Sequence, residues 1–264
     1  MAGTSGSGAA VLGDLGGVGV TSAMAPGRGQ DPDDPISRRR SEIADGLRRV
    51  RARIDAVSAP GAVDLVAVTK TRPASDVVLA AELGVTDVGE NRPAELADKV
   101  AGVAGASTPG SGAVDLRWHL IGPLQTNKVN RLAREVPQLE LVQTLDRPSL
   151  VTALARALPG IRALVQVNLS GEAHRGGVGW DDADGLIEAA LAAGIDVRGV
   201  MGVAPLADDR RRGSAFARLR GLCDRWSLAI CSMGMSDDLE IAIAEGSTMV
   251  RIGSSIFGVR SERR

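Results

Sequence analysis

VDLVAVTK at residues 63–70, followed by PASDVVLAAELG at 73–84, is the couplet that decides the fold. A β-rich run and then a helix-length segment with a 3.6-residue apolar period make one βα unit. The couplet recurs as TDVGE (86–90) with NRPAELADKVAGVA (91–104), DLRWHLIG (115–122) with QTNKVNRLARE (125–135), and LELVQTLD (139–146) with RPSLVTALARAL (147–158). It continues as RALVQVNLS (162–170) with WDDADGLIEAALAAG (180–194), VRGVMGVAP (197–205) with DDRRRGSAFARLRGLCDRW (208–226), LAICSMGM (228–235) with SDDLEIAIAEGS (236–247), and a last run, MVRIGSSIFG (249–258). Eight strand candidates alternating with helices imply a parallel sheet. Because the strands are mostly apolar, this α/β chain is predicted to close as a single (β/α)8 TIM barrel. The competing Rossmann-type open sheet lacks the GxGxxG expected after its first strand.

Upstream, helical patterning begins near Ser37 and places Ile43, Leu47, Val50 and Ile54 on one face, with arginines on the others. Residues 1–35, rich in Gly, Ala, Ser and Pro, show no sustained period and are expected to form a disordered tail, leaving 36–264 as the barrel domain. The stretch 101–115, AGVAGASTPGSGAVD, reads as a flexible loop before the third strand.

Composition narrows the function. The 264 residues carry 31 basic and 32 acidic side chains for a net charge of −1, so no whole-chain field draws the protein to nucleic acid or an anionic membrane. Aromatic residues make up 2% and tyrosine is absent, which removes the base-stacking platforms of single-strand binders. Cys223 and Cys231 show no metal-ligand spacing and are read as small core residues suited to a reducing compartment. No apolar run approaches the roughly 20 residues of a membrane span, and the N-terminal residues lack a basic n-region; a cytoplasmic location is expected.

The strands' C-terminal ends are where a barrel carries its chemistry. Lys70 closes the first strand, and period-2 alternation puts it on the face of Val66 and Val68, read as the barrel interior. A lysine desolvated there has a depressed pKa and attacks aldehydes, the requirement for a Schiff base. On this feature alone, a lysine snorkelling from the rim is the plainer reading.

SMGMS (232–236) and RIGSS (251–255) follow the last two strands, the usual phosphate site of a barrel, where glycines admit an anion to backbone N–H groups and serines add hydroxyl donors. Ordinary turns have the same composition, and Asp237 and Asp238 oppose a phosphate unless they cap the helix. Arg251 shares its strand face with Gly253 and is either directed into the mouth or paired at the surface. Asn91 caps the following helix or touches a ligand; His119, opposite Trp118 and Leu120, is a structural hydrogen-bonder or an acid–base group; His174 is expected to be exposed. No histidine or cysteine spacing supports a metal.

AVTKTRPASDV, VGENRPAE, WHLIGPLQTNK, VNLSGEAHRGGVG and SMGMSDDLEIAIAEGSTMVRIGSSIFG occur in this order over about 63–260. Together they resemble the pyridoxal-phosphate homeostasis proteins, the YggS/PROSC family. The resemblance implies a barrel like the N-terminal domain of alanine racemase, with pyridoxal 5′-phosphate (PLP) held as an internal aldimine. It assigns the Schiff base to Lys70, phosphate contacts to Ser232, Met235, Ser236, Gly253 and Ser254, and the pyridine nitrogen to Arg251. Asn91 and His119 fall in motifs near the cofactor. The tail and the histidine in SGEAHRGGVG depart from the family pattern.

A monomeric homeostasis protein that carries PLP, with PLP-dependent apo-enzymes as candidate partners, is the favoured reading. An amino-acid racemase needs a base on each face of the substrate carbanion, a tyrosine in the resembling enzymes, and an arginine at the ring nitrogen weakens the electron sink. Weak transamination remains chemically open to such a site, and a Schiff-base aldolase acting on a phosphorylated sugar would use the same barrel, lysine and phosphate site.

Overall fold

The computed structural model describes residues 34–106, 115–172 and 174–258. Eight strands close into a barrel in chain order: β1 (Asp64–Val68), β2 (Asp87–Glu90), β3 (Arg117–Leu120), β4 (Leu139–Leu145), β5 (Arg162–Val167), β6 (Asp196–Gly202), β7 (Ile230–Ser232) and β8 (Met249–Ile252). Every neighbouring pair is parallel, and β8 returns to β1 with Val250 opposite Leu65. Closure leaves no strand with an unpaired edge, as the regular βα repeat predicts.

Helices α2 (Ala74–Glu82), α3 (Pro93–Ala106), α4 (Val129–Glu135), α5 (Pro148–Ala157), α6 (Ala183–Ala192), α7 (Asp209–Arg225) and α8 (Leu239–Ala244) lie in the crossovers. They are preceded by α1 (Pro35–Asp55) and followed by α9 (Ser254–Phe257). Helix α1 begins at the predicted place because Asp34 accepts a hydrogen bond from the Ser37 N–H at 3.0 Å and Pro35 stands where its missing donor costs nothing. It buries Ile43, Leu47, Val50 and Ile54 and packs across α2, α8 and α9.

The strand alternation divides the molecule into two apolar regions. Outward positions such as Ala67, Val88, Trp118, Leu120 and Val250 join the helix faces in the main core, which also takes in Cys223 and Cys231, whereas Val66, Leu141, Leu164, Met201 and Met249 form a separate cluster. At the next inward position of two of these strands the same face turns polar: Gln143 follows Leu141, Arg251 follows Met249, and both are buried.

Three boundaries differ from the sequence reading. Helix α3 runs to Ala106, six residues into the stretch read as a loop, because Val100 and Val103 bury against the core; residues 107–114 lie outside the described residues, as do 1–33 of the proposed tail. Strand β8 ends at Ile252, and SSIF, read as part of the last run, turns into α9. Strand β1 ends at Val68, so Lys70 belongs to the turn beyond it. That turn is closed by the Arg72 N–H donating to the Thr69 carbonyl at 2.9 Å, and the β-branched Thr71 lies in the left-handed region at φ 65°.

Among the described residues no helix is long and apolar enough to cross a membrane.

Candidate functional site

A cavity of about 330 Å³ opens where β1, β2 and β8 end, lined by Val68, Lys70, Asn91, Arg92, Gly253 and Ser254 among others. The βα-loops that follow these strands meet there because the strands are neighbours in the closed sheet. Lys70 is exposed at this opening, not desolvated in the barrel interior as its strand position implied, because the Thr69 N–H makes the last bond to β2, at the Gly89 carbonyl, and the chain then turns. Its neighbourhood, and not its burial, marks it out.

The sequence contains three lysines, Lys70, Lys99 and Lys128. Lys99 is buried, and its ammonium donates to the Thr69 carbonyl, Glu90 and Glu95, which uses all three of its donors. Lys128 lines a second cavity of about 290 Å³ with Gln125, Arg131 and Glu135, bordered by Arg92 and thus adjoining the first. Lys70 is therefore the lysine that shares a cavity with Gly253 and Ser254.

Asn91 lies two residues before the first helical residue of α3, outside the capping position, and lines the cavity. Its backbone is pressed against Gly122, where an added Cβ would stand 2.1 Å from the Asn91 carbonyl oxygen. Across the opening, the Ser236 and Ser254 hydroxyls are 3.2 Å apart, and Gly253 approaches Val68 closely enough that a Cβ would lie 3.1 Å from the Val68 oxygen. Gly234, at φ 99°, makes the turn that brings Met235 and Ser236 to this rim. Met235 itself is 39% exposed, and its N–H donates to the Asp238 carboxylate at 2.6 Å. Asp238 thus bonds the turn before α8; burial pushes its carboxyl up, against the pull of that N–H and of Arg212 and Arg251.

Ser232, Arg251 and His119 lie together beneath this rim. The Arg251 guanidinium donates to the Ser232 hydroxyl at 2.7 Å and to the Gly202 carbonyl at 2.9 Å. Since arginine only donates, the Ser232 oxygen accepts from it and passes its own hydrogen to Gln143 Oε1 at 2.8 Å. That orients the Gln143 amide, whose NH2 donates to His119 Nδ1 at 2.9 Å, leaving the imidazole hydrogen on Nε2, 3.1 Å from Asp87 Oδ1. Asp87 also takes Arg117 Nε at 2.7 Å. Burial alone would raise the Asp87 carboxyl, yet the bonds from His119, Arg117 and Thr86 outweigh it and hold it well below the usual carboxylate range. Burial lowers the Arg251 guanidinium to about 10, which leaves it cationic at neutral pH.

This one-way chain from a buried cation to a buried carboxylate bears on two sequence readings. Ser232 is engaged with Arg251 and Gln143 inside the barrel, so its hydroxyl serves the arginine and does not stand at the Ser236–Ser254 rim. His119 is a hydrogen-bonded member of the interior, the structural one of its two readings. Gln143 and Asp87 escape sequence reasoning, although a glutamine amid the apolar LELVQTL is a legible signal. His174 is exposed, as expected, with Glu172 at 3.4 Å. Among the described residues no group of three or more His, Cys, Asp or Glu side chains is arranged to hold a metal.

Residues 41–261 match the family model of the alanine racemase N-terminal domain. The chain is 39% identical over 233 residues to the pyridoxal phosphate homeostasis protein of Pseudomonas aeruginosa, covering 83% of this chain and 96% of that one. It is 37% identical over 239 residues to the protein of the same name from Escherichia coli K12, covering 83% and 97%. PipY of Synechococcus elongatus, solved with PLP bound, superposes with a TM-score of 0.65 at 30% identity, covering 82% of this chain and 100% of PipY. The chain belongs to the pyridoxal phosphate homeostasis protein family.

Proposed function

We propose that this protein binds PLP through Lys70 as an internal aldimine and takes part in intracellular PLP homeostasis, without efficient racemase activity. The observation that carries the reading is the position of Lys70: of the three lysines in the sequence, it is the one on the cavity that also reaches Gly253 and Ser254. An aldehyde and a phosphate on one small molecule match an amine on one side of that opening and a hydroxyl-bearing, Cβ-free rim on the other. When bound, PLP supplies an electrophilic aldehyde carbon that is otherwise reactive toward any exposed amine.

The residues present fit the cofactor. Ser236, Ser254 and the backbone at Gly253 would hold the phosphate, with the Met235 N–H already given to Asp238, and Asn91 lines the same cavity. Arg251 would stand at the pyridine nitrogen, kept in place by Ser232 and the Gly202 carbonyl. A guanidinium there disfavours a proton on that nitrogen, so the ring withdraws electrons less strongly than a racemase requires. The sequence also contains no tyrosine to act as a second base. A carrier that shields a reactive aldehyde and passes it to PLP-dependent apo-enzymes in the cytoplasm, as a monomer, uses binding without needing either feature.

The test is a visible absorption spectrum of the purified protein before and after borohydride, with mapping of the modified peptide. A band that bleaches on reduction, with the label on Lys70, supports the reading. A label on Lys99 or Lys128 overturns the lysine assignment, and no band after incubation with PLP overturns the cofactor. A protein that stays colourless with PLP yet is covalently labelled on Lys70 when a phosphorylated sugar and borohydride are added together is an aldolase instead.

A further inference from the structure

Beside Lys70 lies a charged cluster, of which Glu95 reaches the cavity wall while Glu90 and Lys99 are buried behind it. Glu90 at the end of β2 and Lys99 in α3 are both buried, and Glu95 stands one helical turn before Lys99 at 2.8 Å from its ammonium. The Thr69 hydroxyl donates to Glu90 Oε1, while Glu90 Oε2 is buried with no hydrogen-bond partner. A buried ion pair with an oxygen left over is a poor way to stabilise a helix against a sheet, because its desolvation is incompletely compensated. Its placement needs another reason.

The contacts supply one. The Lys99 ammonium bonds the carbonyl of Thr69, and the Glu95 carboxylate accepts the N–H of Thr71, so the peptide groups on both sides of Lys70 are tied to α3. Thr71 occupies the third position of its turn at φ 65°, where glycine or asparagine is favoured and a β-branched residue is disfavoured. Left to local preference, the turn would relax, and the direction of the Lys70 side chain would change with it.

We propose that Lys99, together with Glu90 and Glu95, is a positioning device for Lys70: the cluster holds the Thr69–Arg72 turn in a conformation its own residues disfavour and so aims the Lys70 amine at the cavity. Glu90 fixes the Lys99 ammonium, and Glu95 transmits the restraint to Thr71. Lys99 is a positioning residue, because its own ammonium is occupied on all three donors. The link to the cofactor rests on the function proposed above; the restraint on the turn does not.

Glu95→Ala is the discriminating variant, since it removes the acceptor for Thr71 while leaving the buried Lys99–Glu90 pair in place. Amide hydrogen exchange is followed by NMR in protein free of PLP, and PLP release is followed separately by its visible band. The Thr71 amide is expected to exchange about tenfold faster in Glu95→Ala, with amides of β1 and α3 unchanged and PLP released faster. Adding Thr71→Asn, which tolerates the left-handed conformation, is expected to restore PLP retention toward wild type. Unchanged Thr71 exchange in the folded variant overturns the proposal, and so does faster exchange with unaltered PLP release. If wild-type protein takes up no PLP, the proposed function fails while the exchange measurement still decides the restraint.

Discussion

At the residue scale, two side chains separate chemistry from support. Lys70 is exposed and sits in a turn, so Lys70→Ala removes no core volume. The variant is expected to lose the visible band and the borohydride label while its stability stays within about 0.5 kcal/mol of wild type, measured by denaturant unfolding without PLP. Asp87 is the opposite case, a buried carboxylate held below its ordinary range by His119, Arg117 and Thr86. A carboxyl depressed in the folded state contributes stability above its unfolded pKa, about 4, and that contribution is lost as pH falls toward the folded value. Asp87→Asn is therefore expected to destabilise the protein at pH 7 by about 1–3 kcal/mol. The gap to wild type should narrow below about pH 4; a gap that stays constant from about pH 7 to about pH 3 in urea titrations would contradict this role.

The residue scale is also where the sequence is least informative. Gln143 and Ser232 look like isolated polar residues 89 positions apart, and only barrel closure brings them to 2.8 Å. The Glu95–Lys99 spacing is that of any surface ion pair on a helix, and nothing local tells that this one faces Glu90 and the turn at Lys70. Lys70 is legible as the candidate amine, but its exposure is not, since period-2 alternation holds only while the strand lasts and β1 stops at Val68.

At the scale of elements, helix α1 shows packing overriding propensity. Gly46 lies in the interior of α1, where alanine is ordinarily worth about 1 kcal/mol more. A Cβ there would lie 2.3 Å from the Ile256 carbonyl oxygen in α9, a backbone atom with no rotamer to yield. Gly46→Ala is thus expected to destabilise by roughly 1–3 kcal/mol, and thermal denaturation that instead showed a higher Tm would mean α1 and α9 pack less closely. Gly122→Ala makes the same demand against Asn91 and is expected to weaken PLP retention, because the residue displaced borders the cavity. Helix order and the buried stripe of α1 are legible from the 3.6 period; the extension of α3 is not, since glycines and alanines at its end resemble a loop.

At the scale of the molecule, a closed barrel makes the site a joint product of its first and last elements. Lys70 follows β1 and Gly253 follows β8, 183 residues apart along the chain and adjacent through the β1–β8 pairing. PLP bound across that seam is expected to raise Tm in a concentration-dependent way, by about 2.7 kcal/mol of stabilisation when free PLP is about 100 times its Kd. Lys70→Ala should lose most of that rise; an equal rise in the variant would place binding elsewhere.

The sequence by itself determined the eight strands, the seven helical segments between them, the apolar stripe of α1 and a candidate set of residues at strand ends, because periodicity is local and written in consecutive residues. Only the tertiary structure decided which of them face one cavity, which support it from the interior, and that Lys70 stands in a turn tied to α3. Those outcomes depend on strand register and barrel closure, which bring together residues whose separation along the chain carries no information about their distance in space.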